Sequence, residues 1–195
     1  TSEGVIENLH LCDVSVVGRQ HVGGLIGLGL GTVTNCSVTG QVAGMAAVGG
    51  LVGRPLGGII SNCRVEVQVS GEYAVGGLLG MTSLAVDVFD CQTGGVVTGH
   101  SYTGGLIGYS LCDAVCRCAA WADVSGRHST GGLLGSAWKP TLTLSYCLGA
   151  VTGEAKYTDF AKRVLDWMLS RGTGAGWFPA APAWADNSSE VCLLS

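Results

Sequence analysis

The stretch "VGGLIG" at residues 22–27 decides the fold, because close copies of it return along the chain. The copies read "VGGLVG" at 48–53, "VGGLLG" at 75–80, "TGGLIG" at 103–108 and "TGGLLG" at 130–135. Successive copies therefore begin 26, 27, 28 and 27 residues apart. A nearly fixed period of this length is typical of a solenoid, in which each repeat forms one rung of a stack.

Cysteines supply a second marker with the same period. Four of them lie 12 residues before the start of the next block, namely Cys36, Cys63, Cys91 and Cys118. We interpret Cys12 and Cys147 as outer copies of the same position, with two residues deleted before the following block. The pattern then predicts about six rungs of about 27 residues, with an atypical first and last rung, as a capped solenoid has.

Inside each rung the local period is two. In "CRVEVQVSG" (63–71) the cysteine and valines share one side, and the arginine, glutamate, glutamine and serine share the other. This alternation predicts a half-buried strand whose cysteine and valines face inward. The block leucines form a second inward row, and the paired glycines before them allow a tight bend that a Cβ would obstruct. Stacked rungs place equivalent residues about 4.8 Å apart.

These residues resemble the GLUG repeat, whose Gly-Leu-any-Gly core reads "GLIG", "GLVG", "GLLG", "GLIG" and "GLLG" here. The flanking "NCSVTGQVAG" and "NCRVEVQVSG" are also similar to that family, and the likeness covers roughly residues 4–160. The resemblance implies a parallel β-solenoid of the kind found in bacterial surface and secreted proteins, including adhesins and some cell-surface peptidases. In those proteins the repeats are accessory modules, so the resemblance brings no active site with it.

The composition suits one repeat array and argues against several classes of protein. Of 195 residues, 47% are hydrophobic and only 12% are charged, which does not fit a polar disordered chain. A net charge of −4 without a run of Lys or Arg argues against nucleic-acid binding. No apolar run reaches the length of a membrane helix, so no membrane insertion is expected. Since the chain starts at Thr1 without Met, we expect a mature or trimmed product.

The nine cysteines raise the question of disulfides and metals. Those at the repeat position are interpreted as small buried side chains that stack well. In "CDAVCRC" (112–118) three thiols lie close together, and a Cys112–Cys116 disulfide is the candidate there. A zinc site lacks a fourth ligand at a recognised spacing, so we predict no metal and no cofactor.

Catalytic patterns are missing from the sequence. It has no phosphate loop of the G-x-x-x-x-G-K-[ST] type, no G-x-S-x-G and no H-E-x-x-H, and its acidic residues are scattered singly. We therefore predict no catalytic residue and a protein that is not an enzyme. A polysaccharide-active enzyme of the β-helix type is the less favoured alternative, and it would need a cleft lined by charged residues.

The outward strand faces offer a surface for binding. Trp121 is predicted to point outward and is a weak candidate for contacting a carbohydrate or a host protein. A binding module of a cell-surface adhesin is therefore the first alternative function. His100 and His128 precede successive blocks, so they are expected to be neighbours on adjacent rungs, as exposed turn residues.

After the solenoid, which we assign to residues 1–157, the pattern changes. Residues 158–172 predict a short C-terminal α-helix that caps the last rung, and 173–195 form an apolar tail rich in Gly, Ala, Pro and Trp. A bare first rung opposite an apolar tail predicts head-to-tail contacts between copies, which do not close and so give a filament. The residues expected to make these contacts are Phe160, Trp167, Trp177, Phe178 and Trp184.

The sequence thus predicts an all-β extracellular or cell-surface protein, bacterial or archaeal, with a structural or adhesive role. Its expected partners are other copies of itself, with a surface glycan or a host protein as further partners.

Overall fold

The computed structural model describes residues 4–112, 114–138, 141–143, 145–147 and 151–152. Within these ranges every regular element is a β-strand, so none of them forms a helix that could cross a membrane. The predicted capping helix at 158–172, the tail at 173–195 and all five residues predicted to make assembly contacts lie outside the described residues.

The described residues form twenty-two strands. In chain order these are β1 (Gly4–Glu7), β2 (His10–Val17), β3 (Gln20–Gly23), β4 (Ile26–Thr34), β5 (Ser37–Ala43), β6 (Ala46–Gly49), β7 (Val52–Ser61), β8 (Arg64–Ser70), β9 (Tyr73–Gly76), β10 (Leu79–Met81), β11 (Val86–Phe89), β12 (Gln92–Thr98), β13 (Ser101–Gly104), β14 (Ile107–Ser110), β15 (Ala114–Cys116), β16 (Ala119–Ala120), β17 (Asp123–Ser125), β18 (His128–Gly131), β19 (Leu134–Ala137), β20 (Thr141–Thr143), β21 (Tyr146–Cys147) and β22 (Val151–Thr152).

Each rung contributes to four faces, which we name A to D in chain order. Face A holds β1, the second halves of β4 and β7, β11, β15 and β20. Face B holds β2, β5, β8, β12, β16 with β17, and β21 with β22. Face C holds β3, β6, β9, β13 and β18, and face D holds the first halves of β4 and β7, then β10, β14 and β19. Strands β4 and β7 turn the corner from D to A unbroken, which joins those two faces into one nine-stranded sheet.

The pairing confirms a parallel β-solenoid. Every pairing among the described strands is parallel and joins equivalent residues of successive rungs, as Val38 joins Val65 in face B. Strand spacing and side-chain alternation then put like residues over one another along the stack. Among the described residues five rungs are complete and a sixth begins at β20, compared with about six expected for the chain.

The predicted inward rows form the core. The block leucines Leu51, Leu78, Leu106 and Leu133 are at most 1% exposed, and the valines of β5 and β8 are buried with them. Cys36, Cys63, Cys91 and Cys118 are buried in the same way. Each of these thiols donates to the carbonyl two residues earlier, as Cys63 Sγ does to Ser61 O at 3.2 Å. The four cysteines therefore share one orientation along the stack.

The two outer cysteines do not belong to this row, and their assignment from the sequence was wrong. Because His10 pairs with Ser37, the residue beside Cys36 is Leu9, while Cys12 falls in a bulge between Leu11 and Val14 and is exposed. At the other end Cys147 pairs with Ala120, so Ser145 takes the row position and accepts from the Cys118 amide at 3.2 Å. In the first rung the bulge therefore carries Cys12 close to the expected spacing yet away from the core.

Two rows of left-handed residues turn the chain. The first, between faces A and B, holds Asn8, Asn35, Asn62, Asp90 and Arg117, with φ between 51° and 58°. The second, inside face C, holds His21, Ala47, Ala74, Tyr102 and Ser129, with φ between 51° and 55°. Asn and Asp tolerate this conformation better than other residues with a Cβ, which explains the Asn that precedes Cys36 and Cys63.

The block glycines are needed for space and not for a left-handed backbone. A Cβ on Gly50 would lie 2.1 Å from the carbonyl oxygen of Gly77 in the next rung, and one on Gly53 would lie 2.5 Å from the backbone nitrogen of Val22. The described glycines with positive φ, which are Gly31, Gly40, Gly58 and Gly95, all lie outside the blocks. The glycines thus let faces C and D pack backbone against backbone.

We expect Gly50→Ala to destabilise the fold strongly and Gly57→Ala to do so weakly. The new methyl at residue 50 meets a main-chain carbonyl, whereas at residue 57 it meets the exposed Leu30 side chain at 3.1 Å, which can move aside. Overpacking of the first kind costs about 1–3 kcal/mol or more. Urea unfolding followed by circular dichroism measures both variants. Equal midpoints for the two would contradict the backbone-contact interpretation.

Candidate binding face

The outward side of face B is a flat surface with a regular array of side chains. Equivalent positions along the rungs form columns, one with Arg64 and Gln92, the next with Glu66, Gly94 and Trp121. The outward orientation expected for these residues is confirmed. Because each column runs along the solenoid axis, neighbouring side chains come from different rungs and are about 4.8 Å apart.

Trp121 packs over a glycine and against an arginine. Its ring fills the space above Gly94, where a Cβ would lie 2.3 Å from the indole Nε1. The Arg64 guanidinium carbon lies 5.3 Å from the Trp121 ring centroid, within cation–π range. Arg64 also contacts Glu66 Oε1 and Gln92 Oε1, each at 3.4 Å. These contacts hold the indole half-buried, with part of the ring open to solvent.

Beside this cluster lies a groove of about 180 Å³ that follows the solenoid axis across the first four rungs. Its walls come from the two outer columns of face B, and its floor from the strands between those columns. The lining residues are Ser15, Val16, Val17, Gln41, Val42, Ala43, Gln68, Val69, Ser70, Val96 and Thr98. None of the side chains that line it is charged. This groove was not predicted from the sequence, because it depends on which small residues neighbour each other across rungs.

Trp121 is not the most exposed aromatic residue. Trp138 is 62% exposed and Tyr73 is 44% exposed, and neither was singled out from the sequence. Tyr73 begins a chain of edge-to-face contacts through Tyr102 to Tyr109, with centroids 5.0 and 5.2 Å apart. Partial burial, then the two neighbouring tyrosines, raise the pKa of Tyr73. His100 and His128 are neighbours as expected, with ring centroids 5.3 Å apart.

A row of exposed apolar side chains follows the corner between faces D and A. It contains Leu30, Leu56 and Leu84 on three successive rungs, and the exposed Trp138 lies at the same corner two rungs further along. Ser83 Oγ donates to Pro55 O at 3.2 Å, which fixes the two leucines that follow them on adjacent rungs. Contiguous exposed apolar surface of this kind is typical of contact sites.

The cysteines at 112–118 do not lie together on one side of the chain. Cys112 is buried, with its sulfur 3.2 Å from Thr82 Oγ1 and 3.3 Å from Ser110 Oγ, while Cys116 is half-buried in β15. Both are free thiols in the structure, and the candidate Cys112–Cys116 disulfide stays a prediction. Burial raises the pKa of Cys112, which lowers the reactivity of its thiol.

In the core, the neighbouring thiols of Cys118 and Cys63, and then burial, raise the pKa of Cys91. Among the described residues no group of three His, Cys, Asp or Glu side chains is placed to hold a metal ion.

The family comparison matches two stretches of the chain. The model of the GLUG motif fits residues 18–43 and 46–70, each of which is one rung that runs through faces C, D, A and B. Both stretches are GLUG-motif repeats. The third, fourth and fifth blocks occupy the same register in the structure, which extends the repeat architecture beyond the matched residues.

Two known proteins are similar to parts of this chain. Halomucin of Haloquadratum walsbyi is 48% identical over 52 residues, which is 27% of this chain but 1% of that protein. A crystal structure of a Bacteroides ovatus protein, described provisionally as an immunoglobulin A1 protease, superposes with a TM-score of 0.69 at 22% identity. That match covers 77% of this chain and 56% of the other, and it shows the fold alone. The GLUG repeats and the Halomucin match indicate a surface or extracellular repeat protein.

The GLUG repeats vary at the first left-handed corner, and one change creates an ion pair. Where the earlier rungs have Asn, the fourth has Asp90 and the fifth has Arg117, and their side chains form two hydrogen bonds of 2.7 Å. The hydrogen bonds from Arg117 lower the pKa of Asp90, and those to Asp90 raise the pKa of Arg117.

We expect Arg117→Asn to reduce the loss of stability at low pH. The lowered pKa of Asp90 means that the pair stabilises the fold above the unfolded-state value of about 3.9 and is lost as the pH falls through the folded value. Wild type should therefore lose more free energy of unfolding than the variant between about pH 7 and pH 2.5. Urea titrations at both pH values measure this difference. The control Arg127→Asn makes the same charge change at an exposed residue, and an equal response from both variants would contradict the assignment.

Proposed function

We propose that this chain is a non-enzymatic structural module of a cell-surface or secreted protein. It forms a rigid rod, and its end makes contacts with other solenoid rungs. The observation that carries the proposal is the continuous ladder of backbone hydrogen bonds and stacked side chains through five rungs. In such an array each rung is stabilised by its neighbours, so the stack resists bending at any one point.

The backbone ladder is regular even at the tight corner inside the GLUG repeat. The Leu51 amide donates to Leu78 O at 2.9 Å, and the Leu78 amide donates to Leu106 O at 2.8 Å. The same carbonyls accept a second bond from the following residue, as Leu78 O does from the Val52 amide at 3.1 Å. The corners are thus bonded along the axis as fully as the strands are, which supports a rod without a hinge in this part.

The GLUG repeats and the match to Halomucin support a location outside the cell. The chain spans only 1% of Halomucin, so in a protein of that kind it would be one short segment of a very long chain. A rod is useful there because it holds neighbouring segments apart. The Bacteroides ovatus protein shares the fold at 22% identity, and we propose no proteolytic activity for this chain from it.

We expect the protein to be accessible on intact cells that produce it. Antibodies raised against the purified chain should label unpermeabilised cells or the medium, as seen by immunofluorescence and by immunogold electron microscopy. A cytosolic protein of the same cells, labelled only after permeabilisation, serves as the control. Labelling of this chain only after permeabilisation would contradict the proposed location.

The first rung supports end-to-end contacts. Strands β1, β2 and β3 each pair with a described strand on one side only. Leu9 is 40% exposed where its equivalent Cys36 is 2% exposed, and Leu11 and Val16 are only partly buried where Val38 and Val42 are covered. The end of the core therefore presents apolar side chains and unpaired strand edges, which together accept another rung in parallel register.

In the isolated chain we propose that a second copy supplies that rung, head to tail. Such contacts repeat without closing and give filaments. The tail residues predicted to contribute, Phe160 to Trp184, lie outside the described residues, and their role stays a prediction. The exposed row of Leu30, Leu56, Leu84 and Trp138 runs along the side of the rod, so it is left free by this assembly.

We expect Leu11→Glu with Val16→Glu to abolish elongation, because a further rung would bury both charges. Wild type should form rods that lengthen with protein concentration, as seen by electron microscopy and by light scattering after size exclusion. The control Val17→Glu places the same charge on a side chain that is 82% exposed, and it should elongate like wild type. Wild type that stays monomeric at high concentration would overturn the proposal.

A further inference from the structure

The groove on face B has the chemistry of a site for a neutral, hydroxyl-rich polymer. Its walls carry the amides of Gln41 and Gln68 and the hydroxyls of Ser15, Ser70 and Thr98. Amides and hydroxyls both donate and accept hydrogen bonds, as sugar hydroxyls do. No charged side chain lines the groove, so nothing in it matches a phosphate, a sulfate or a carboxylate.

The length and direction of the groove fit an extended polymer chain. Its residues come from four successive rungs, which gives a length of about 14 Å along the axis. Equivalent side chains repeat at the rung spacing, which is similar to the length of one sugar unit in an extended polysaccharide. A polymer lying along the axis therefore meets Gln41 and Gln68 on two successive rungs in one column, and Ser70 and Thr98 on two successive rungs in the other.

Small residues create the groove. In the outermost column Ala43, Ser70 and Thr98 are short, while Gln41 and Gln68 stand beside them in the next column. Val42 and Val69 also line the groove but are only 1% exposed, so its floor is the strand between the two outward columns. The exposed apolar surface of the groove comes from Val17 and Val96 at its two ends, which are 82% and 42% exposed. Apolar surface beside polar walls suits a sugar ring, which has apolar C–H faces and polar edges.

Trp121 lies at one end of this groove. Within the groove, the column of Gln41 and Gln68 ends at Val96, which pairs with Asp123 of the next rung. Trp121 stands two residues before Asp123, in the neighbouring outward column of that rung. Its indole is fixed by Gly94 below and Arg64 beside it. A rigid, half-exposed aromatic ring binds apolar faces at low entropic cost, so it is placed to hold the next sugar of a chain that leaves the groove.

A peptide fits this face less well. An extended peptide gains its affinity by adding a strand to a free sheet edge. In β5 and β8 both edges are already paired with the neighbouring rungs, so face B offers a peptide only side chains.

We propose that the outward side of face B binds an extended neutral polysaccharide, held by the amide and hydroxyl columns of the groove and by Trp121 at its end. This site is independent of the structural role proposed above, because it uses the side of the rod and leaves both ends free. It also differs from a catalytic cleft, since the groove places no carboxylate pair around a bond of the ligand.

Affinity electrophoresis tests the proposal with defined probes. The whole chain is run through native gels that contain a soluble neutral polysaccharide, with dextran, hydroxyethyl cellulose, amylose, xylan and galactomannan each tried in turn. Gels with alginate and with dextran sulfate provide the anionic comparison. We expect retardation by at least one neutral polymer that is unaffected by salt, and weaker or no retardation by the anionic ones.

Variants then locate the site. Gln41→Ala with Gln68→Ala removes the amides, and Ala43→Gln with Ser70→Gln fills the groove from outward positions without entering the core. Each pair should weaken binding at least about tenfold, because several hydrogen bonds are lost together. Trp121→Ala should weaken it as well. The matched control Gln20→Ala removes an exposed amide from face C and should bind like wild type.

Three results would overturn the proposal. One is no retardation by any neutral polymer in the set, and another is salt-sensitive retardation by the anionic polymers alone. The third is neutral-polymer binding that the groove-filling pair leaves unchanged. Thermal unfolding of every variant is compared with wild type, so that a loss of binding in a folded protein is distinguished from a loss of fold.

Discussion

The structure depends on the close approach of two backbones inside the glycine block. Faces C and D have no room for a Cβ between them, and the Gly50 Cα faces the Gly77 carbonyl of the next rung. The same contact recurs at Gly77 and Gly105, where an added Cβ would also lie 2.1 Å from a carbonyl of the next rung, so it sets the close approach of successive rungs at this corner. The leucine that follows is placed inside the core as a consequence, as Leu51, Leu78 and Leu106 are.

The rungs differ in length, and their extra residues lie away from the contact between the block glycines. The register between β4 and β7 shifts beyond Gly29, and the extra residue of the third rung falls between Met81 and Val86, both at the corner of faces D and A. The bulge that carries Cys12 is in the first rung, where only one neighbouring rung constrains the strand. The spacing of the blocks therefore varies between 26 and 28 residues without disturbing the leucine row.

Much of the fold could be predicted from the sequence, because each structural position occurs several times in a repeat protein. The block leucines, the alternation of β8 and the neighbouring histidines His100 and His128 all follow from spacing alone. The outer rungs were assigned wrongly for the same reason, since spacing cannot tell a bulged cysteine from a stacked one. Leu9 and Ser145 occupy the position that Cys12 and Cys147 were assigned, and neither resembles a cysteine in a pattern search.

The left-handed corners and the groove were beyond sequence reasoning for different physical reasons. Ala47, Ala74 and Tyr102 adopt a positive φ that their residue types do not favour, because the backbone contact beside them leaves no other path. The groove is formed by residues of several rungs, so it can be located only once the register between those rungs is known. Trp121 was found because it is large, whereas the small Ala43 and Ser70 that open the groove beside it give no signal of their own.

Each inward residue must fit the equivalent residue of the next rung, because the two pack together in the core. Outward residues are not restricted in this way. The inward column at Val38, Val65 and Thr93 stays compact and buried, whereas the outward column beside it changes from Thr39 to Glu66, Gly94 and Trp121. Along one strand, core packing therefore restricts the inward residues, whereas the outward residues that alternate with them can vary. A rod built in this way can alter its outer columns rung by rung without loss of the ladder. For that reason a surface specific to this chain is to be sought between rungs, where Arg64 meets Trp121, and not within any single repeat.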